Sequence, residues 1–201
     1  MNRRDQLLKR AFDLVVAAIG LLVFWPLIFV GWIAATISTR QNGFFFQKRV
    51  GYQGRLFSVV KLRSMKAVEG LTTTVTSDKD VRVTPVGWWL RKLKFDELPQ
   101  LFNVLLGQMS FVGPRPDVPG FADQLTGEDR IVLTIRPGIT GPATIAFRNE
   151  EELLAGVDDP ESYNREVIWP EKVRLNKDYI RDYSLRGDIK YIWQTAVGSR
   201  S

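Results

Sequence analysis

Residues 14–37 read LVVAAIGLLVFWPLIFVGWIAATI, 24 positions without a charge. As a helix this run is ~36 Å long, enough to cross a bilayer. It is too long for the apolar core of a cleaved signal peptide, and no small-residue cleavage region follows it. Pro26 stands near its centre, where proline removes a helical hydrogen bond and bends or breaks the helix. Basic residues flank both ends: Arg3, Arg4, Lys9 and Arg10 before it, Arg40, Lys48 and Arg49 after it. A spanning helix prefers its positive flank on one side only. Two arrangements satisfy the residues at this point. One is a kinked span, since bilayers tolerate proline. The other is a re-entrant hairpin bent at Pro26, with two arms of about 18 Å and both basic ends on one face. Asp13, beside Arg10, reads as an interfacial anchor.

The charge follows the apolar run. The 201 residues carry 28 Lys/Arg against 22 Asp/Glu, net +6. Residues 1–66 hold 11 basic against 2 acidic, residues 67–100 hold 5 of each, and residues 101–201 hold 12 against 15. Positive charge beside an apolar segment suits an anionic membrane surface. Nucleic-acid binding would rest on net charge alone, so no nucleic acid is expected.

Beyond the run, Phe44–Val50 and Leu56–Leu62 are rich in aromatic and β-branched residues. Gly51-Tyr52-Gln53-Gly54 lies between them, which predicts a β-hairpin over 44–62. Residues 67–80 are polar and Thr-rich and read as a mobile loop. Gly87–Lys94 is short and amphipathic, with Trp88 and Trp89 suited to a headgroup boundary. Asp96–Gly107 has the clearest helical spacing, through Leu98, Leu101, Phe102, Leu105 and Leu106. Asp96 is its expected N-cap, Pro99 fits its first turn and Gly107 its end. Gly113–Pro116 and Arg136–Pro142 read as stiff turns. Residues 150–161 are acidic, and the last 40 residues are helical and amphipathic.

The chain has no cysteine and no histidine. Thiol nucleophiles, Ser-His-Asp triads and Cys/His metal sites are therefore excluded. A divalent metal must bind oxygen, which favours magnesium. Among the carboxylates, the adjacent Asp96 and Glu97 stand out, preceded by Arg91, Lys92 and Lys94. At a helix N-terminus Asp96 is expected to stay ionised. An ionised aspartate can attack phosphorus, and Glu97 can hold magnesium or move a proton. A cap plus a first-turn acid is the plainer reading of the same pair. Arg115, held between Pro114 and Pro116, is a pre-organised phosphate ligand or simply part of a rigid turn. Lys61 and Arg63, after the second strand, are further phosphate candidates or solvated strand-end charges. No Gly-x-x-x-x-Gly-Lys or Gly-x-Gly-x-x-Gly motif is present.

Taken in order, these segments resemble a known family. They are Lys9–Asp13, the apolar run with Pro26, Gln47–Gly51, Lys61–Met65 and Thr84–Arg91. Asp96–Leu105, Met109–Pro116, Arg136–Gly141 and Arg148-Asn149 complete the order. The chain is similar to the bacterial sugar transferase family, the small monotopic phosphoglycosyl transferases, over nearly its whole length. It departs from the usual pattern at Trp25, Lys94-Phe95, Gln108 and Pro142-Ala143-Thr144.

The resemblance implies transfer of a phospho-sugar from a UDP-sugar to polyprenol (undecaprenyl) phosphate, releasing UMP, as the first membrane step of bacterial glycan assembly. It implies a covalent intermediate on Asp96 and Mg2+ at Asp96 and Glu97. Phosphate or substrate contacts are implied at Lys61, Arg63, Arg91, Arg115, Arg148 and Asn149. It also favours the hairpin at Pro26, on the cytoplasmic face of the bacterial plasma (inner) membrane. The expected fold is α+β, mostly helical with a small β-hairpin sheet, with a re-entrant membrane helix and amphipathic membrane-surface helices. The expected domains are 1–40, the membrane helix, and 41–201, a cytoplasmic catalytic domain. A homo-oligomer and the identity of the sugar are left open. The competing class is a catalytically silent, membrane-anchored partner of other glycan enzymes.

Overall fold

The apolar run forms part of one helix, α1, Arg3–Thr39, in the computed structural model, which describes residues 1–67 and 80–198. The expected loop at 67–80 falls almost wholly outside the described residues. Helical hydrogen bonding in α1 continues past Pro26, so a break there is not shown. Burial nonetheless divides the helix in two. Lys9, Asp13 and Ala17 are buried at one end, and Ile28, Gly31, Ala35 and Thr39 at the other, spaced three or four apart as one helical face requires. Between them Leu22 to Pro26 are all exposed. Leu22 is 76% exposed and Trp25 60%. Large apolar side chains left bare in a row are unfavourable in water and at home in lipid. By length and hydropathy α1 can cross a membrane.

The hairpin forms where expected. Strands β1, Phe44–Val50, and β2, Leu56–Leu62, pair across a short 3-10 turn at Tyr52–Gly54. Next comes α2, Pro85–Lys92, whose first turn is capped by the Thr84 side chain accepting from Gly87 N at 2.9 Å. The long helix expected over Asp96–Gly107 is shorter. A 3-10 turn spans Phe95–Glu97 and α3 covers Gln100–Leu105. Pro99 has no N–H for the Phe95 carbonyl, which accepts instead from Leu98 N at 3.2 Å, and this tightens the turn. Gly107 follows α3 with φ +77, a C-terminal stop as expected.

A second sheet was not legible as one. β3, Ser110–Val112, pairs in parallel with β4, Gly138–Thr140, so the expected turn at Arg136–Pro142 contains a strand. Three glycines allow it. A side chain on Gly138 would run into Gly113, and one on Gly141 into the Gly113 carbonyl. Gly138→Ala should therefore destabilise the fold by about 1–3 kcal/mol or more, read as a lowered Tm in detergent. The C-terminal part is helical, as expected: α4, Pro142–Ala146; α5, Glu150–Ala155; α6, Pro160–Tyr163; a π-turn at Asn164–Ile168; α7, Trp169–Arg181; and α8, Leu185–Val197. The mostly helical fold with little sheet is thus observed.

The chain divides into two compact units: Met1–Val15 with Lys48–Phe57 and Val104–Ser201, and Val16–Gln47 with Ser58–Asn103. In the first, Val112, Ile135, Tyr179 and Ile180 form one core cluster, and Val50, Ala122 and Leu133 another. In the second, Ala35, Leu62 and Leu90 pack with Trp32, Phe44, Val86 and Phe95.

Within the first unit the start of α1 is tied down by buried polar groups. Lys9 Nζ lies 2.6 Å from Asp188 Oδ2, and Tyr179 Oη donates to Asp188 Oδ1 at 2.7 Å. Asp13, expected at the membrane interface beside Arg10, is instead 1% exposed, its Oδ1 accepting from Ser110 Oγ and Phe111 N, each at 3.1 Å. A buried charge stripped of its partner is expensive. Asp188→Ala should cost about 3–5 kcal/mol, measured by denaturant unfolding.

Candidate active site

The turn that carries Asp96 is set by its neighbours. Lys94 adopts a left-handed backbone, φ +57, directly before it. A residue with a Cβ adopts that conformation at a cost of about 1–2 kcal/mol. The reversal ends α2 and brings Phe95 into the apolar cluster with Leu62 and Leu90. Asp96 is carried inward with it and is only 9% exposed. Its Oδ1 is buried with no hydrogen-bond partner among the described residues.

Asp96 is therefore not the exposed N-cap expected from sequence. Burial pushes its pKa up, the neighbouring Glu97 carboxylate adds to the rise, and Lys61, Arg91 and Lys94 oppose it. The expected cause is corrected: no long helix begins there to lend its dipole, and desolvation outweighs the cations, so the pKa is raised rather than held down. Ionisation at neutral pH thus costs folding stability, which is highest with the group protonated and falls as pH rises through the raised pKa.

Glu97 is oriented by Lys61 on β2, whose Nζ lies 3.1 Å from Glu97 Oε1. Arg91 is in the last turn of α2. These four residues, Lys61, Arg91, Asp96 and Glu97, belong to one unit and interact electrostatically. Arg63 is in the same unit but turned elsewhere, donating to the Asn42 and Phe44 carbonyls at 2.7 and 3.4 Å. Pro26 is exposed at the middle of α1.

Arg115, Arg148 and Asn149 belong to the other unit. Arg115 is exposed between buried Pro114 and Pro116, immediately after the close backbone packing at Gly113. Next to it, burial pushes the Asp117 carboxyl up to about 6 against the pull of Lys172, Arg49 and Arg115. Arg148 donates to the Gln194 carbonyl at 3.0 Å, and Asn149 is exposed at the start of α5.

Sequence reasoning missed Asn103 as a positioning residue. It is 1% exposed, accepts from Val60 N at 3.0 Å and donates to the Ser58 carbonyl at 2.8 Å, holding β2 and hence Lys61. Its only signal was a polar residue amid the apolar Leu101, Phe102, Val104 and Leu105. Asp188 was missed because its partner Lys9 is distant in sequence, and Asp117 because its burial is set by the fold rather than by its neighbours in the chain.

No group of three or more Asp or Glu is placed to hold a metal ion among the described residues. Magnesium needs only one or two carboxylates, completing its shell with phosphate and water oxygens. The unpartnered Asp96 Oδ1 beside Glu97 fits that donor set.

Asp96, buried, and Glu97, half-buried, thus stand with Lys61, Arg91 and Lys94 in the unit that also holds the apolar part of α1. The sequence pattern of the family described as bacterial sugar transferase matches residues 4–199, and the chain belongs to that family. Among its relatives is the undecaprenyl-phosphate glucose phosphotransferase of Komagataeibacter xylinus, 41% identical across 97% of this chain and 36% of the relative. The UDP-glucose:undecaprenyl-phosphate glucose-1-phosphate transferase of Escherichia coli (strain K12) is 36% identical across 95% of this chain and 40% of its own. The exopolysaccharide production protein ExoY of Rhizobium meliloti (strain 1021) is 32% identical across 93% and 83%. The chain thus spans less than half the length of the first two relatives.

Proposed function

We propose that this chain transfers a phospho-sugar from a UDP-sugar to undecaprenyl phosphate at the cytoplasmic face of the bacterial plasma membrane. The observation that carries the reading is Asp96, a buried carboxylate whose Oδ1 has no hydrogen-bond partner among the described residues, set among Lys61, Arg91 and Lys94. The names of the relatives support the choice of substrates.

In the first step an Asp96 carboxylate oxygen attacks the sugar-bearing phosphorus. A new P–O bond forms to Asp96, the P–O bond to the bridging oxygen breaks, and UMP leaves with that oxygen. In the second step a phosphate oxygen of undecaprenyl phosphate attacks the same phosphorus. The bond to Asp96 breaks, giving undecaprenyl-diphospho-sugar and restoring the carboxylate. Burial strips water from the nucleophile. Arg91 and Arg115 bind phosphate oxygens, and Lys61 holds Glu97 in place. Asp96 and Glu97 are the residues to hold magnesium, which when bound supplies positive charge to the phosphates.

The region 1–40 acts as a re-entrant membrane hairpin and 41–201 as the catalytic domain. Two contacts support this. Gly20 and Gly31 flank Pro26, and side chains added at them would meet Leu101 and Leu62 at 3.2 and 2.6 Å, both within one unit. α1 thus packs within one unit on both sides of the exposed Leu22–Pro26, as a hairpin with that stretch at its deep end would also require.

The activity is tested by UMP release from a panel of UDP-sugars, with undecaprenyl phosphate and magnesium. Release with at least one sugar is expected; none with any would favour the silent-partner reading.

Two further outcomes are expected. Arg115→Lys should lose at least tenfold in kcat/KM, because lysine keeps the charge without the planar fork; full rescue would reduce Arg115 to diffuse charge. The nucleophile must be ionised, and its pKa is raised. Activity should therefore fall, as pH drops, at a value above the ordinary carboxylate range near ~4. A kcat/KM profile flat down to that range would contradict an Asp96 nucleophile in this environment.

A further inference from the structure

The first unit contains a cavity of about 110 Å³, lined among others by Lys9, Arg10, Asp13, Tyr52, Thr134 and Arg136. It is several times the ~30 Å³ share of one water molecule. Two guanidinium groups are among its lining residues, and both also approach the turn at Gly107. Arg10 Nη2 and Arg136 Nε stand 3.3 and 3.9 Å from the point where a Gly107 side chain would begin. Arg10 donates to the Val104 and Leu105 carbonyls at 2.6 and 2.9 Å, and Arg136 Nε to the Gly107 carbonyl at 2.7 Å.

Capping the end of α3 accounts for one cation there. It does not account for two like charges brought together beside an open space. A guanidinium has five N–H donors, and these bonds use two of Arg10's and one of Arg136's. Asp13 lines the same cavity and offsets part of the charge on Arg10, while its Oδ1 accepts from Ser110 and Phe111. Lys9 is paired with Asp188.

We propose that this cavity is a binding site for a tetrahedral phosphate group, held by Arg10 and Arg136 and separate from the Asp96 chemistry. Paired guanidiniums match phosphate oxygens bidentately. Arg10 lies one helical turn before the apolar run that starts at Leu14, at the depth of lipid headgroups when that run is in the bilayer. The phosphate is thus that of an anionic phospholipid headgroup, with free phosphate as the other source of the same chemistry. A lipid seated there would fix the depth of α1.

The test uses the full chain in phosphate-free maltoside detergent. It is titrated with dihexanoyl phosphatidylglycerol below its micelle concentration, and separately with inorganic phosphate, by native mass spectrometry. One lipid per chain is expected. Arg136→Gln should weaken binding at least tenfold. So should Thr134→Phe, which fills the cavity from an exposed position and leaves both arginines on their carbonyls. Lipid binding at least tenfold tighter than phosphate assigns the site to a headgroup. Equal affinities, both weakened by the variants, assign it to free phosphate. Absence of binding, or binding unchanged in both variants, overturns the site. Asp96→Asn should bind as the wild type does, so loss of the transferase reading would leave this result intact.

Discussion

Asp96→Asn is expected to abolish UMP release, by at least a thousandfold in kcat, about 4 kcal/mol of barrier. An amide cannot form the acyl-phosphate, and with no cysteine or histidine in the chain no thiol or imidazole can take over. The same substitution should leave the fold as stable as before or stabilise it at neutral pH. Burial penalises the ionised carboxylate, and asparagine has no charge to penalise. Loss of activity with an unchanged or higher Tm is the signature of a group kept at a cost to the fold for its chemistry. In wild type, UDP-sugar without acceptor should release about one UMP per chain and leave a phospho-sugar mass on the peptide containing Asp96. Near-wild-type turnover in Asp96→Asn, with asparagine confirmed intact by mass spectrometry, would end the covalent mechanism.

The second large effect is all-or-none. Single cysteines at Asn2 and Gln41 should both be shielded from a membrane-impermeant thiol reagent in intact cells, and both should react after lysis. The labelling is clean because the native chain has no cysteine. The expectation rests on basic flanks at both ends of the run and on the packing of Gly20 and Gly31 against one unit. A spanning helix would put either Arg3, Arg4, Lys9 and Arg10 outside, against the positive-inside preference, or the carboxylate site outside, away from UDP-sugar. Labelling at Asn2 before lysis would refute the hairpin. Pro26→Leu restores the missing helical hydrogen bond and should move part of the population to a span, exposing Asn2.

Local pattern was enough wherever a segment's own neighbours decide its state. The charge-free run and the aromatic strands around Gly51–Gly54 needed no distant contact. Asp96 and Glu97 were also legible as a pair, because cations preceded them and no other residue type could serve as nucleophile or metal ligand so readily. Tertiary structure decided what surrounds them. Burial by Phe95 and its cluster, rather than a helix dipole, sets the ionisation of Asp96. Lys61, expected as a phosphate ligand, is paired with Glu97. The β3–β4 sheet depends on backbone contact between Gly113 and Gly138, 25 residues apart, which period-two patterning over three residues cannot signal. Lys9 and Asp188 lie 179 residues apart, so neither announces the other in the chain. Arg10 and Arg136 likewise read as ordinary surface charge until Gly107 brings them together. Short-range propensity sets elements, whereas desolvation and charge pairing depend on which elements meet. Those are the terms on which the roles proposed for Asp96 and for Arg10 and Arg136 rest.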